Sequence, residues 1–200
     1  MLNHREQIVD ELLVMDAQNG RVKAMELLAS RWQEPLWRYA WRLTGDTEAA
    51  WDVTQEAWLG IVRGITRLSD PARFRHWVFR IVTNKANDWI RRSTRTRRMP
   101  EEGRGSLHEQ DKEMTDELHR ILQCLPEQSR TVLTLYYLEE FALSDVARIL
   151  QVPEGTVKSR LHTARAAFKE LWQAGDEAQQ TNMSADRKGE VRCPRKRSRE

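Results

Sequence analysis

Apolar residues recur along most of the chain at three- and four-residue spacing, and no stretch keeps the strict alternation of a half-buried strand. The pattern predicts helices throughout. A first begins near His4 and pauses at Asn19-Gly20. A second runs from about Arg21 to Leu43, with Pro35 expected to kink or break it, since proline lacks the N–H and crowds the preceding turn. In Thr44-Gly45-Asp46, Gly45 suits a left-handed helix end and Asp46 can cap the next helix, which runs to about Arg67. Ser69-Asp70-Pro71 is another start, with Asp70 as cap and Pro71 in the first turn, and its helix reaches about Arg92. The periodicity then fades over residues 93–110, where Arg97, Arg98, Pro100, Gly103 and Gly105 mark a linker. Helices resume near Asp116. Leu125-Pro126 opens one that reaches about Leu138, a short one runs from about Ser144 to Leu150, and a last from Pro153 to about Trp172. Beyond that, polar and charged residues dominate and predict a disordered basic tail.

Three helix faces carry chemistry. On the helix after Pro71, Arg73, Trp77, Arg80, Asn84, Asp88 and Arg91 share one arc, while Phe74, Val78, Ile81, Val82 and Trp89 form an adjoining core face. Lys85 falls inside the core arc, where its stem can be buried while the ammonium reaches out. Guanidinium groups pair with phosphates, an amide reads base edges and an indole stacks on a base. The same arc also suits an ordinary solvated face with Trp77 tucked into the core. On the helix after Asp46, Asp52, Gln55, Glu56 and Leu59 share a face fit to dock a basic helix, although acidic solvent faces are commonplace. Ala50, Val53, Ala57 and Ile61 form its second face and Trp51, Trp58 and Val62 its third, so most of its circumference is expected to be buried. On the last helix Val157, Leu161, Ala164, Phe168 and Leu171 make a core seam, flanked by Thr156, Lys158, Ser159, His162, Thr163 and Arg165. A short helix, a tight turn at Gln151-Val152-Pro153 and a long basic helix form a helix-turn-helix arrangement, which sets the second helix in a major groove.

Charge sharpens this picture. The 200 residues carry a formal +3, but it is segregated: residues 73–98 hold nine basic residues and one acidic, 154–169 four and one, and 187–200 seven and two, while 1–72, 99–153 and 170–186 are net acidic. Separate basic patches on an acidic body suggest two contacts with one polyanion. Seven of the eight tryptophans lie within residues 32–89, so the linker divides a Trp-rich domain from a smaller one of different apolar inventory. No apolar run approaches a membrane span and the first residues lack a secretory signal. Cys124 and Cys193 are too few to staple a fold, which fits a reducing cytosol, and no metal-ligand spacing or cofactor motif occurs.

Four stretches, RLTGDTEAAWDVTQEAW (42–58), FRHWVFRIVTNKANDWIRR (74–92), LPEQSRTVLTLYYLE (125–139) and VARILQVPEGTVKSRLHTAR (146–165), occur in an order and spacing that resembles the extracytoplasmic-function class of the sigma-70 family, over roughly residues 8–172. The resemblance implies an all-α protein of two small helical domains joined by a flexible linker, the second a helix-turn-helix DNA-binding domain. Residues 1–96 would be region 2, 97–115 the linker, 116–172 region 4 and 173–200 the tail. It implies a transcription initiation factor that binds bacterial core RNA polymerase, at the β′ clamp helices and the β flap, and directs it to −10 and −35 promoter elements while assisting strand opening. Asp52, Gln55, Glu56 and Leu59 would meet the clamp helices. Arg73, Trp77, Arg80, Asn84, Asp88, Arg91 and Arg92 would contact the −10 element, with residues 68–75 helping to capture an unstacked base. Thr156, Lys158, Ser159, Arg160, His162, Thr163 and Arg165 would contact the −35 element. The linker would thread the polymerase channel, its acidic part at 109–117 kept off DNA. The family further implies an anti-sigma partner, no membrane insertion, no cofactor and a cytoplasmic location.

Some positions depart from the family pattern. Glu140 and Gln151 stand where such sequences often have glycine, Ala142 where a Ser or Thr often caps the next helix, so that Ser144 is expected to cap a later start, and Thr163 where Arg is frequent. Two other readings bear on the same residues. A duplex-only helix-turn-helix regulator explains residues 125–172 equally well but leaves Asp52, Gln55, Glu56 and the Trp77-to-Arg91 stripe without a purpose. A helical enzyme lacks any acid–base pair, nucleophile relay or metal set in the sequence.

Overall fold

A computed structural model describes residues 4–96 and 112–182. Those residues form eight α-helices joined by short turns, with no strand among them. Helices α1 (His4–Gln18), α2 (Val22–Thr44), α3 (Thr47–Gly64) and α4 (Phe74–Thr96) build the first domain. Helices α5 (Lys112–Cys124), α6 (Glu127–Leu133), α7 (Leu143–Leu150) and α8 (Glu154–Asn182) build the second.

The first domain is organised around α2, whose Leu28, Trp32, Leu36, Tyr39 and Ala40 are buried against α3 and α4. Trp32 meets the edges of Phe74 and Phe79, with centroids 5.7 and 6.3 Å away. Tyr39 is fully buried, and its hydroxyl lies 2.7 Å from that of Thr83, which itself donates to the Phe79 carbonyl. Burial pushes the Tyr39 phenol well above its ordinary value, so it stays a neutral donor. Buried Asp10 binds Arg31 at 2.8 Å and fixes α1 on α2. The Gln18 amide donates to the Ile65 and Leu68 carbonyls, pinning the connection that delivers α4.

The predicted punctuation operates as physics requires. Gly45 sits at φ 74° after α2, and the Asp46 carboxylate accepts from the Ala49 N–H at 2.7 Å. The Asp70 carboxylate accepts from the Ala72 N–H, with Pro71 opening a single 3-10 turn before α4. Five expectations need correction. Helix α2 passes through Pro35 without a break; only the bond that the Pro35 nitrogen would have donated is forfeited, and packing on both sides carries the helix through. Helix α4 extends to Thr96 rather than stopping near Arg92. Helix α7 starts at Leu143 with Ala142 as its uncapped boundary, so Ser144 lies in the first turn and caps nothing. Helix α8 runs to Asn182, so the first ten residues assigned to a disordered tail are helical, and α5 begins at Lys112, inside the stretch assigned to the linker. The rest of that linker, residues 97–111, and tail residues 183–200 lie outside the described residues.

In the second domain Leu122, Leu125, Val132, Leu135, Val146, Ile149, Val157, Leu161 and Ala164 form the core, as the seam on α8 predicts. Helix α6 ends in a single π-helical turn over residues 134–138. Residues 139–142 then lead into α7, with Glu140 at φ 54°. Gln151 at φ 55° turns α7 into α8. Both of the positions where glycine is frequent in the family are therefore left-handed here, each strained by roughly 1 kcal/mol with a branched or long side chain in place.

Candidate nucleic-acid interface

Helix α3 presents Asp52, Gln55 and Leu59 to solvent, while Ala50, Val53, Ala57 and Ile61 on its opposite side are buried. Glu56 is half-buried, and the first-domain helices meet there. Its carboxylate accepts from Lys85 Nζ at 3.0 Å and lies 3.7 Å from the Arg92 guanidinium. The hydrogen bond from Lys85 holds the Glu56 carboxyl below the usual carboxylate range, with a smaller contribution from Arg92, against the opposing effect of burial. The third face of α3 is not the buried face its tryptophans suggest. Trp51 and Val62 are about half exposed, like Leu59, because the neighbouring helices cover only the alanine-rich side. Together with Asp52 and Gln55 they make an apolar patch edged by one carboxylate and one amide, a composition that suits a partner helix carrying basic residues.

Helix α4 is buried on two sides, not one. Phe74, Val78 and Val82 face the core as expected, and Phe79, Thr83 and Ala86 are buried as well. What remains open is the predicted arc: Arg73, Asn84, Asp88, Arg91 and Arg92 are exposed and Arg80 is half-buried. Arg73 pairs with Asp70 at 2.9 Å, which orients it along the start of the helix. Trp77 takes both readings offered for it. One edge packs against Phe74 and over Gly64, where a Cβ would lie 2.9 Å from the indole, and the remainder stays partly exposed beside Arg80. Gly64 thus makes room for the indole. Lys85 behaves as its position in the core arc demands, with its stem between α3 and α4 and its ammonium on Glu56.

Helix α8 stands on α6 and α7 through Val157, Leu161 and Ala164, all buried. Its first three turns expose Lys158, Ser159, His162, Thr163 and Arg165, with Thr156 and Arg160 half-buried. The Ser159 hydroxyl donates to the Thr156 carbonyl at 2.9 Å, and the Arg165 guanidinium lies over Tyr136 and Tyr137 at 5.9 and 5.6 Å. Arg160, Ser159 and Thr163 also line a shallow cavity of about 410 Å³ shared with Pro126 and Ser129 at the start of α6. Short helix α7, the turn at Gln151 and long helix α8 reproduce the helix-turn-helix geometry, in which the N-terminal part of the second helix is the part that reaches base edges. All the predicted −10 residues therefore cluster on α4 and the turn before it, and all the predicted −35 residues on the first turns of α8.

Among the described residues no set of His, Cys, Asp or Glu side chains gathers as a metal site, and no helix is long and apolar enough to cross a membrane. The described residues combine an exposed acidic and apolar face on α3, a cationic helix α4 that carries Trp77, and a helix-turn-helix, the form of a DNA-binding transcription factor. Residues 28–96 match the family Sigma-70 region 2, and residues 115–168 match the family Sigma-70, region 4. The RNA polymerase sigma-H factor of Pseudomonas aeruginosa is 31% identical over 82% of this chain and 94% of its own length. The extracytoplasmic-function sigma-E factor of Escherichia coli K12 is 30% identical over 82% of this chain and 94% of its own. Among solved structures, CnrH in complex with the cytosolic domain of CnrY superposes with a TM-score of 0.64 at 25% identity, covering 83% of this chain and 98% of that one. The chain belongs to the sigma-70 family, in its extracytoplasmic-function class, and is a transcription initiation factor that binds RNA polymerase and directs it to promoters.

Proposed function

We propose that the three exposed faces divide the work of initiation. Asp52, Gln55, Glu56 and Leu59, joined by Trp51 and Val62, dock the β′ clamp helices of core polymerase, and Lys85 buttresses that face from α4 through its ion pair with Glu56. Arg73, Trp77, Arg80, Asn84, Asp88, Arg91 and Arg92 contact the −10 element. There, guanidinium groups hold phosphates while Trp77 and Asn84 address a base taken out of the stack. Thr156, Lys158, Ser159, Arg160, His162, Thr163 and Arg165 contact the −35 element in the major groove, and the second domain also meets the β flap. Strand opening costs a few kcal/mol per unstacked step, and stacking a captured base returns about 1–3 kcal/mol. The protein acts by binding and positioning, not by catalysis, and works where the polymerase does, in the cytoplasm. An anti-sigma partner belongs to this reading, since the solved relative from Bartonella quintana was captured with its anti-sigma factor NepR.

The observation that carries the division of labour is the exposure of two chemically distinct faces on adjacent helices of one small domain: acidic and apolar on α3, cationic and aromatic on α4. Two variants separate them. Asp52→Ala is expected to weaken co-elution with core polymerase about tenfold, roughly 1.4 kcal/mol. Asn84→Ala is expected to leave co-elution intact and to reduce permanganate reactivity of the −10 strand. If both variants associate and open like wild type, the assignments are wrong.

A further inference from the structure

The residues assigned to the −35 element do not form one uniform face. On α8, Lys158, His162 and Arg165 follow one another at i, i+4 and i+7 along one flank of the buried seam of Val157, Leu161 and Ala164. Thr156, Ser159 and Thr163 lie on the other flank with Arg160. The first flank is therefore a row of nitrogen groups, and Lys158 and Arg165 stand about 10.5 Å apart along it, at about 1.5 Å per residue. A cationic row of this kind is the footprint of a nucleic-acid backbone. Arg165 is exposed, and among the described residues no carboxylate lies within ion-pair distance of it. Its neighbours are two aromatic rings, with the guanidinium 5.9 Å from the centroid of Tyr136 and 5.6 Å from that of Tyr137.

The end of α6 is what places both rings there. Residues 134–138 close a single π-helical turn, and the Glu139 N–H donates to the Thr134 carbonyl at 2.9 Å. Such a turn is wider than an α-helical one, so consecutive side chains come closer to sharing a face. Tyr136 and Tyr137 both reach Arg165, and their own rings meet edge to face at 4.9 Å. Tyr136 is partly buried against the core and anchors the pair, whereas Tyr137 is 50% exposed. Core packing accounts for the first ring and not for the second. A guanidinium over aromatic rings is attracted by their negative faces and keeps its in-plane N–H donors for another partner. The rings also remove in advance part of the rotamer freedom that a long side chain loses on binding.

We propose that Tyr136 and Tyr137 are positioning residues for DNA, holding the Arg165 guanidinium ready for a backbone phosphate at the edge of the −35 duplex, in line with Lys158 and His162. The inference rests on the assignment of α8 to the −35 element and extends that interface to a second element, the π turn of α6. The partner of Arg165 is a phosphate, so the contribution of the tyrosines is to affinity and register and carries no base preference.

The test uses the full chain assembled with core polymerase and a labelled duplex bearing the upstream sequence shared by its mapped start sites. Arg165→Ala is expected to lower the salt slope of binding by about one. Tyr137→Leu is expected to weaken binding about two- to fivefold, the size of an exposed cation–π contact. Tyr137→Phe, which keeps the ring face, is expected to bind like wild type. In an Arg165→Ala background Tyr137→Leu is expected to have no further effect, because the tyrosine acts only through the arginine. Circular dichroism melts establish that each variant is folded. A folded Tyr137→Leu that binds like wild type overturns the proposal. Equal weakening with and without Arg165 does so too, as does a Tyr137→Phe as weak as Tyr137→Leu. If Lys158→Ala, His162→Ala and Arg165→Ala all bind like wild type, the −35 assignment itself fails and takes the proposal with it.

Discussion

Lys85 reaches from α4 to the Glu56 carboxylate on α3 at 3.0 Å, so the helix assigned to polymerase and the helix assigned to the −10 element share one ion pair. Both partners are about two-fifths exposed, and pairs of this kind are worth less than about 1 kcal/mol. The pair sets geometry more than stability. Because Lys85, and then Arg92, lower the Glu56 carboxyl below its unfolded value, its contribution is present above that value and is lost as pH falls through the lowered one. Thermal midpoints measured from neutral pH into the acid range below about 4.5 are expected to fall less steeply for Glu56→Gln than for wild type. An equal slope would show that the pair contributes nothing.

Gln151 and Glu140 each occupy left-handed backbone, and Ala142 starts α7 without a side-chain cap. Gln151→Gly is expected to raise the stability of the second domain by up to about 1 kcal/mol, by relieving the turn. Ala142→Ser, at an extended N-cap, is expected to add about 1 kcal/mol. Denaturant midpoints measure both, and the two should add because one acts at each end of α7.

Leu161 is 1% exposed and His162, the next residue, faces solvent. Leu161→Ala is expected to cost about 2–5 kcal/mol and to unfold the helix-turn-helix unit. His162→Ala is expected to change stability by less than about 0.5 kcal/mol while weakening −35 duplex binding. Paired melting and duplex-binding curves separate the two. Equal destabilisation by both would mean that the face assigned to DNA is structural.

Removing residues 183–200 deletes the charged end and spares α8, which a cut at 173 would shorten. The salt dependence of promoter binding is expected to keep its slope, since the phosphate contacts are assigned to α4 and α8. A shallower slope would give the tail a share of those contacts.

Local chemistry made much of this fold legible. Gly45-Asp46 and Asp70-Pro71 announced two helix junctions through conformational freedom and capping, and the spacing of Val157, Leu161 and Ala164 announced the seam of α8. The helix through Pro35 was not legible, because packing on both sides of α2 outweighs one lost hydrogen bond. Exposure of Trp51 and Val62 was hidden too: a tryptophan-rich face looks buried until the neighbours prove to cover only the alanine side of α3. The contacts of Arg42 with Glu139 and of Arg75 with Phe141 join residues far apart in the chain, and no periodicity within either helix signals them. Phe79 carries no such signal either, because it also packs on Trp32 and Tyr39 within the first domain.

The most direct test of the central claim is run-off transcription reconstituted from purified core polymerase, this protein and genomic fragments, with start sites mapped by primer extension. Discrete starts that depend on the added protein, each preceded by a shared pair of sequence elements, are the expected result. Starts identical to those of core polymerase alone, with the protein folded and in excess, would contradict it.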